Sequence, residues 1–136
     1  MTRSPLIDST TMLLIGAGRA AQRRLEDALA GHGLTLRHLG ALGHLSRRPE
    51  LSYSDLARRA RITPQSMQAT MIQLADAGAV VIESRGRASY PRLTPHGRHL
   101  LSVAAAAAAD CDRALGVPDA LRDALAAVVR REMFGE

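Results

Sequence analysis

Gly16, Gly18 and Ala21 stand at the spacing of a G-x-G-x-x-G/A fingerprint, directly after the apolar run Met12-Leu13-Leu14-Ile15. In that motif the glycines let backbone N–H groups approach a pyrophosphate at a helix N-terminus. The chemistry needs a strand before the loop, a parallel strand after the helix and an acid roughly 20 residues on to hold a ribose. Here His38 occupies that distance, no acid falls between Asp27 and Glu50, and the following segments have helical periodicity. A small dinucleotide-binding oxidoreductase would rest on the opening motif alone, and the motif lacks its context.

A second set of residues has the chemistry of a surface for a polyanion. From Leu36 to Arg98 ten arginines face four acids (Glu50, Asp55, Asp76, Glu83), whereas the two flanks together hold eight arginines and nine acids. The +5 charge of the chain is therefore concentrated in its middle, the footprint of a nucleic-acid surface or, read plainly, a solvated basic face. Between Pro64 and Gly78 there is no basic residue; the segment offers Gln65, Ser66, Gln68, Ala69, Ile72 and Gln73. Glutamine pairs bidentately with adenine N6 and N7, and an exposed Ala or Ile touches a thymine methyl. Gln65, Ser66, Gln68 and Ala69 are the expected base-edge contacts, with Gln73 further along the same segment. Arg47, Arg48, Arg58, Arg59 and Arg61 are phosphate candidates that set register without reading sequence. Arg85 and Arg87 suit a narrow minor groove, which attracts arginine.

These residues need elements to carry them. Leu13, Ala17, Ala20, Leu25, Ala28 and Leu29, at helical spacing, predict a helix from Ser9 or Thr10 to Gly31–Gly33. Leu36, Leu39, Leu42 and Leu45 predict a second helix to Arg47, stopped by Pro49. Ser52 and Asp55 form a capping-box-like start for a short helix, and Thr63-Pro64 begins another that runs to Ala77 with Met67, Met71 and Leu74 inward. Two helices joined by about three residues make a helix-turn-helix. After Gly78 the period changes: "AVVIES", "RGR" and "ASYPRLT" read as a hairpin with Gly86 at its tip and Pro91 marking an edge strand. Thr94-Pro95 opens a long helix to Gly116, and a last helix runs from about Pro118 to Phe134.

Composition narrows the class. With 136 residues, one Phe, two Tyr and no Trp, a single domain with an Ala- and Leu-built helical core is expected. A single cysteine, Cys111, excludes an intrachain disulfide and sits between Asp110 and Asp112, whose charges disfavour a reactive thiolate. His96 and His99 are spaced i, i+3 but lack further ligands at matching spacing, so no metal and no cofactor is expected. No apolar run reaches the roughly 20 residues of a membrane span, and Asp8 sits where a signal peptide carries positive charge. A cytoplasmic, non-enzymatic protein is the expectation.

The segments "LTLRHLGALGHLSRRP", "YSDLARRARITPQSMQATMIQLADAGAVV" and "GRASYPRLTPHGRHLL" follow one another in an order that resembles the MarR family of winged-helix transcription regulators. The resemblance implies a mainly α fold with a small β-hairpin wing, a winged helix-turn-helix flanked by dimerisation helices. In that division the chain, 1–136, is one domain, with 36–93 the DNA-binding lobe and 9–33 plus 94–135 the helical dimerisation lobe. It implies a homodimeric, sequence-specific repressor over a pseudo-palindromic operator in double-stranded DNA, the alternative being a winged helix that binds protein without binding DNA. A small aromatic or anionic effector between the lobes is also implied, with Arg19 and His38 as its candidate partners. Gly16 and Gly18 then read as small residues at a crowded crossing of the first dimer helix. Two departures stand out: the family's D-R-R wing is replaced by Arg85-Gly86-Arg87, and its Asp-Arg pair in the recognition helix by Ile72-Gln73.

Overall fold

The computed structural model describes residues 4–136. Six helices and one hairpin follow in order: α1 (Thr10–Ala30), α2 (Leu36–Arg47), α3 (Tyr53–Ala60), α4 (Pro64–Asp76), β1 (Val80–Arg85), β2 (Ala88–Leu93), α5 (Pro95–Leu115) and α6 (Asp119–Phe134). The fold is mainly α, a winged helix-turn-helix between flanking helices. Among the described residues no helix is long and apolar enough to cross a membrane.

Local chemistry fixes the boundaries. Ser9, Thr35, Ser52, Thr63 and Thr94 each accept a backbone N–H of the first turn that follows them, which satisfies donors that a helix start leaves orphaned. Ser52 and Asp55 form a reciprocal capping box, as their spacing predicts. α4 closes with a Schellman motif: Gly78, at φ 78°, places its N–H on the Ala75 carbonyl and that of Ala79 on the Leu74 carbonyl. α3 closes in the same way, but with Arg61 at φ 57° in the left-handed position that glycine usually fills. Arg61 thus carries backbone strain at the turn of the helix-turn-helix.

The core lies around α2, α3 and α4 and extends to one end of α5. Leu42 and Leu45 of α2, Leu56 of α3, Met67, Met71 and Leu74 of α4, and Val80 of β1 are buried together with Leu29, Leu100 and Ala104. β1 and β2 pair antiparallel from Val80↔Leu93 to Arg85↔Ala88, with Pro91 opposite Ile82 and buried. Thr94 ties this unit to α5: its hydroxyl donates to the carbonyls of Gly78 and Ala79 while accepting the Gly97 N–H. The approach is close enough that a Cβ on Gly97 would lie 2.2 Å from the Ala79 carbonyl oxygen.

The flanks leave apolar side chains uncovered within the chain. Of the residues at helical spacing in α1, only Leu29 is buried, Ala20 and Leu25 are half-buried, and Leu13 is 56% exposed. In the N-terminal half of α1, Met12, Leu13, Leu14 and Ile15 all remain exposed. The crowding expected at Gly16 and Gly18 is not supplied by this chain either, since a Cβ at either position meets nothing within 4 Å. α6 likewise buries none of its residues, leaving Leu121, Val129, Met133 and Phe134 exposed.

Candidate nucleic-acid interface

Helical stagger divides α4 into two faces. Met67, Thr70, Met71 and Leu74 are buried, and Thr70 settles its hydroxyl on the Ser66 carbonyl at 2.9 Å. Gln65, Gln68, Ala69 and Ile72 consequently emerge on the exposed side. Ser66 is half-buried and belongs to the cap: its N–H donates to Thr63 Oγ1 at 3.1 Å, and its Oγ accepts from the Thr63 hydroxyl at 3.0 Å. Gln73 lies off this reading face. Its Oε1 is 2.7 Å from His38 Nε2, so α4 has a reading side and a flank tied to α2.

The wing brings an arginine to the same side. Gly86 and Arg87 form the two-residue connection of the hairpin, and Gly86, at φ 62°, takes the first central position, where a type II′ turn favours glycine. Arg87, Gln65 and Gln68 line one cleft of about 280 Å³, together with Ser52, Ser54 and Ser89. Polar side chains from α3, α4 and the wing therefore converge on a single notch. Ser52, Ser54 and Ser89 are additions that the sequence reading missed. Ser52 was visible there only as a cap.

Arg85 occupies a different environment. Its guanidinium is 3.2 Å from Glu83 and stacks over the Tyr90 ring at 4.8 Å from the centroid, while Arg92 approaches the same Glu83 at 3.6 Å. A strand's period of two sets Glu83 and Arg85 on one face, and the register puts Tyr90 opposite Glu83. Glu83 thus provides the wing with a carboxylate support, but for Arg85 rather than Arg87. The two wing arginines are not equivalent: one is braced along the strand and the other stands at the tip.

The remaining cations divide similarly. Arg48 pairs with Glu50 at 2.6 Å, and Arg58 pairs with Asp55. Hydrogen bonding from Arg48 holds Glu50 below the usual carboxylate range, and hydrogen bonds from Ser52, then Arg58, do the same for Asp55. Arg47, Arg59, Arg61 and Arg87 make no ion pair among the described residues. Arg47 lies beside His44, whose partial burial, with Arg47 and Arg59 nearby, holds the imidazole below its ordinary pKa.

The candidate effector residues are not brought together. His38 lines a cleft of about 480 Å³ with His32, Gln73, Leu74, His96 and Leu100. Arg19 is exposed in the middle of α1 and is not among the residues lining that cleft. His96 and His99 stack at 6.2 Å between ring centroids, and the described residues contain no group of three or more side chains placed to hold a metal.

The profile of the MarR family matches residues 32–88. The HTH-type transcriptional repressor Rv2887 of Mycobacterium tuberculosis (strain ATCC 25618 / H37Rv) is 40% identical over 97 residues, covering 69% of this chain and 70% of that protein. The chain belongs to the MarR family. A crystal structure of Rv2887 in complex with DNA is 30% identical to this MarR protein, with a TM-score of 0.75 over 95% of this chain and 98% of the other. A structure of Rv2887 with salicylic acid is 31% identical, with a TM-score of 0.69 over 93% of this chain and 98% of the other. CouR from Rhodococcus jostii RHA1, bound to p-coumaroyl-CoA, superposes with a TM-score of 0.84 over 97% of this chain and 96% of the other, and at 22% identity that likeness is one of fold.

Proposed function

We propose that this MarR protein is a cytoplasmic, homodimeric transcriptional repressor that binds double-stranded DNA and responds to a small aromatic or anionic effector. The convergence of Arg87, Gln65 and Gln68 on one notch carries the reading. It gives the protein a cation for the minor groove beside side chains able to read adenine in the major groove. A relative of 30% identity whose structure contains DNA supports it.

In this reading Gln65, Gln68 and Ala69 contact base edges. Ser66 contributes through the capped helix start, and Gln73 acts from the flank. Arg47, Arg48, Arg58, Arg59 and Arg61 hold phosphates, the unpaired ones more strongly than Arg48 and Arg58. Arg87 is the principal wing contact and Arg85 a lesser one. Residues 36–93 form the DNA lobe; 9–33 and 94–135 form the dimer lobe, where a second chain covers the exposed apolar sides of α1 and α6. Two recognition helices then lie about one DNA turn apart over a pseudo-palindrome. The effector occupies the cleft at His38 between the lobes, and a relative that binds salicylic acid supports a small aromatic effector; Arg19 takes part only from the second chain.

Selection of duplexes from a random pool, followed by titration at stated salt, tests the reading. A two-fold symmetric consensus is expected, and Gln68→Ala is expected to relax the preference at one position per half-site with a discrimination loss of about 1–3 kcal/mol. Binding without sequence preference, or none at all, would refute it.

A further inference from the structure

The start of α2 and the flank of α4 meet at one histidine. Thr35 Oγ1 accepts the His38 backbone N–H at 3.2 Å, and His38 Nδ1 accepts the Thr35 backbone N–H at 3.2 Å. An imidazole nitrogen that accepts a backbone N–H carries no proton, so the neutral ring holds its hydrogen on Nε2. Nε2 lies 2.7 Å from Gln73 Oε1 and donates to it. The tautomer required by the cap is also the one able to hold Gln73.

The titratable groups lining the cleft with His38 are His32, from the turn after α1, and His96, from the first turn of α5; α4 contributes Gln73, Leu74 and Ala77. No Asp, Glu or Arg is among the described residues lining it. A proton on Nδ1 therefore turns the acceptor of the cap into a donor facing the Thr35 N–H, without a carboxylate in the cleft to compensate. The cap loses its acceptor, and the ring that carries the Nε2–H donor to Gln73 is no longer held by Thr35.

We propose that His38 is a positioning residue for the recognition helix: as the neutral Nε2–H tautomer it ties Gln73 of α4 to the capped start of α2, and a proton on the ring releases α4. The consequence for DNA rests on the reading role proposed above for α4. The bond itself does not, and the two parts are tested separately.

The first test uses the full chain without DNA. Imidazole nitrogen shifts of His38 should report a protonated Nε2 and an accepting Nδ1 at about pH 8. In unfolding titrations, Gln73→Ala should raise the unfolding constant about fivefold in the wild-type background, the size of one hydrogen bond, and leave it nearly unchanged in a His38→Ala background. An Nδ1–H tautomer, or an equal effect of Gln73→Ala in both backgrounds, would overturn the proposal. The second test compares wild type with His38→Gln on a selected duplex. Glutamine at this position keeps the capping box, can still donate to Gln73 and does not ionise. Wild-type affinity should fall at least about threefold more than that of His38→Gln from a pH at which the nitrogen shifts report the neutral ring to one at which they report the protonated ring. Matching profiles would overturn proton control. Failure of both proteins to bind any duplex would instead overturn the repressor reading, while the unfolding cycle still decides the bond.

Discussion

Leu42 and Leu45 of α2 are closed off within the chain, whereas Leu13 of α1 and Val129 of α6 remain about half exposed. The middle of the molecule completes its own core; the flanks leave apolar surface that only another molecule can cover. That division matches the charge, since the self-contained middle carries the excess of arginine. On the function proposed above, the first region presents side chains to a polyanion and the second is buried against a copy of itself.

The largest effect is expected where the two regions join. In an open helix Gly→Ala stabilises by about 1 kcal/mol. At Gly97 the added Cβ would lie 2.2 Å from the Ala79 carbonyl oxygen and 2.8 Å from Leu93. Gly97→Ala should therefore destabilise by about 3 kcal/mol, the upper part of the overpacking range, as read from denaturant midpoints. A gain in stability would show that the junction is looser than described.

Breaking the flank alone should separate the two roles. Val129 is 49% exposed in the chain, so Val129→Asp should leave the fold of the chain intact. It should raise the dimer dissociation constant at least about thirtyfold, the effect of one interface hot spot of about 2 kcal/mol. Sedimentation at several concentrations measures it, and an unchanged dimer would remove α6 from the interface.

A smaller effect is expected at Arg61. Relief of its left-handed strain by Arg61→Gly is worth about 1 kcal/mol, partly offset by the greater chain entropy of glycine, for a net gain of up to about 0.5 kcal/mol. Duplex affinity should nevertheless fall, because a phosphate candidate is lost. Opposite signs in unfolding and binding would mark Arg61 as a residue held in strain for its charge.

The smallest effect concerns pH. Because His44 is held below its ordinary value in the folded chain, the unfolded chain takes up that proton first. Its contribution to stability is therefore complete above the ordinary histidine pKa and is lost as pH falls through it toward the lowered folded value. Asp55 and Glu50, both lowered, add a further loss below the usual carboxylate range. His44→Gln should flatten only the upper part of this decline in thermal unfolding midpoints.

The helices and hairpin were legible because their signals are local: Thr63-Pro64 and Thr94-Pro95 start helices, Gly78 ends one, and Gly86 turns the hairpin. The candidate site was less so. The arginines could be counted, but bracing of Arg85 by Glu83 and Tyr90 depends on strand register and ring placement, which composition does not encode. The bond from His38 to Gln73 joins residues 35 positions apart, and Gly97 is required by a carbonyl in a different element. The opening glycines show the converse: their spacing matches a phosphate loop, but the missing strand and acid already exclude one, and the residues lie inside an exposed stretch of α1.

The comparison of Arg87 with Arg85 tests the account most directly. Affinity for a selected duplex should be measured across a salt series for wild type, Arg87→Ala and Arg85→Ala. Arg87→Ala should weaken binding about tenfold and reduce the salt slope by about one. Arg85→Ala should have a clearly smaller effect on both, because Glu83 and Tyr90 already engage that guanidinium. Equal losses, or an unchanged affinity and slope for Arg87→Ala, would contradict the assignment of the wing tip to DNA.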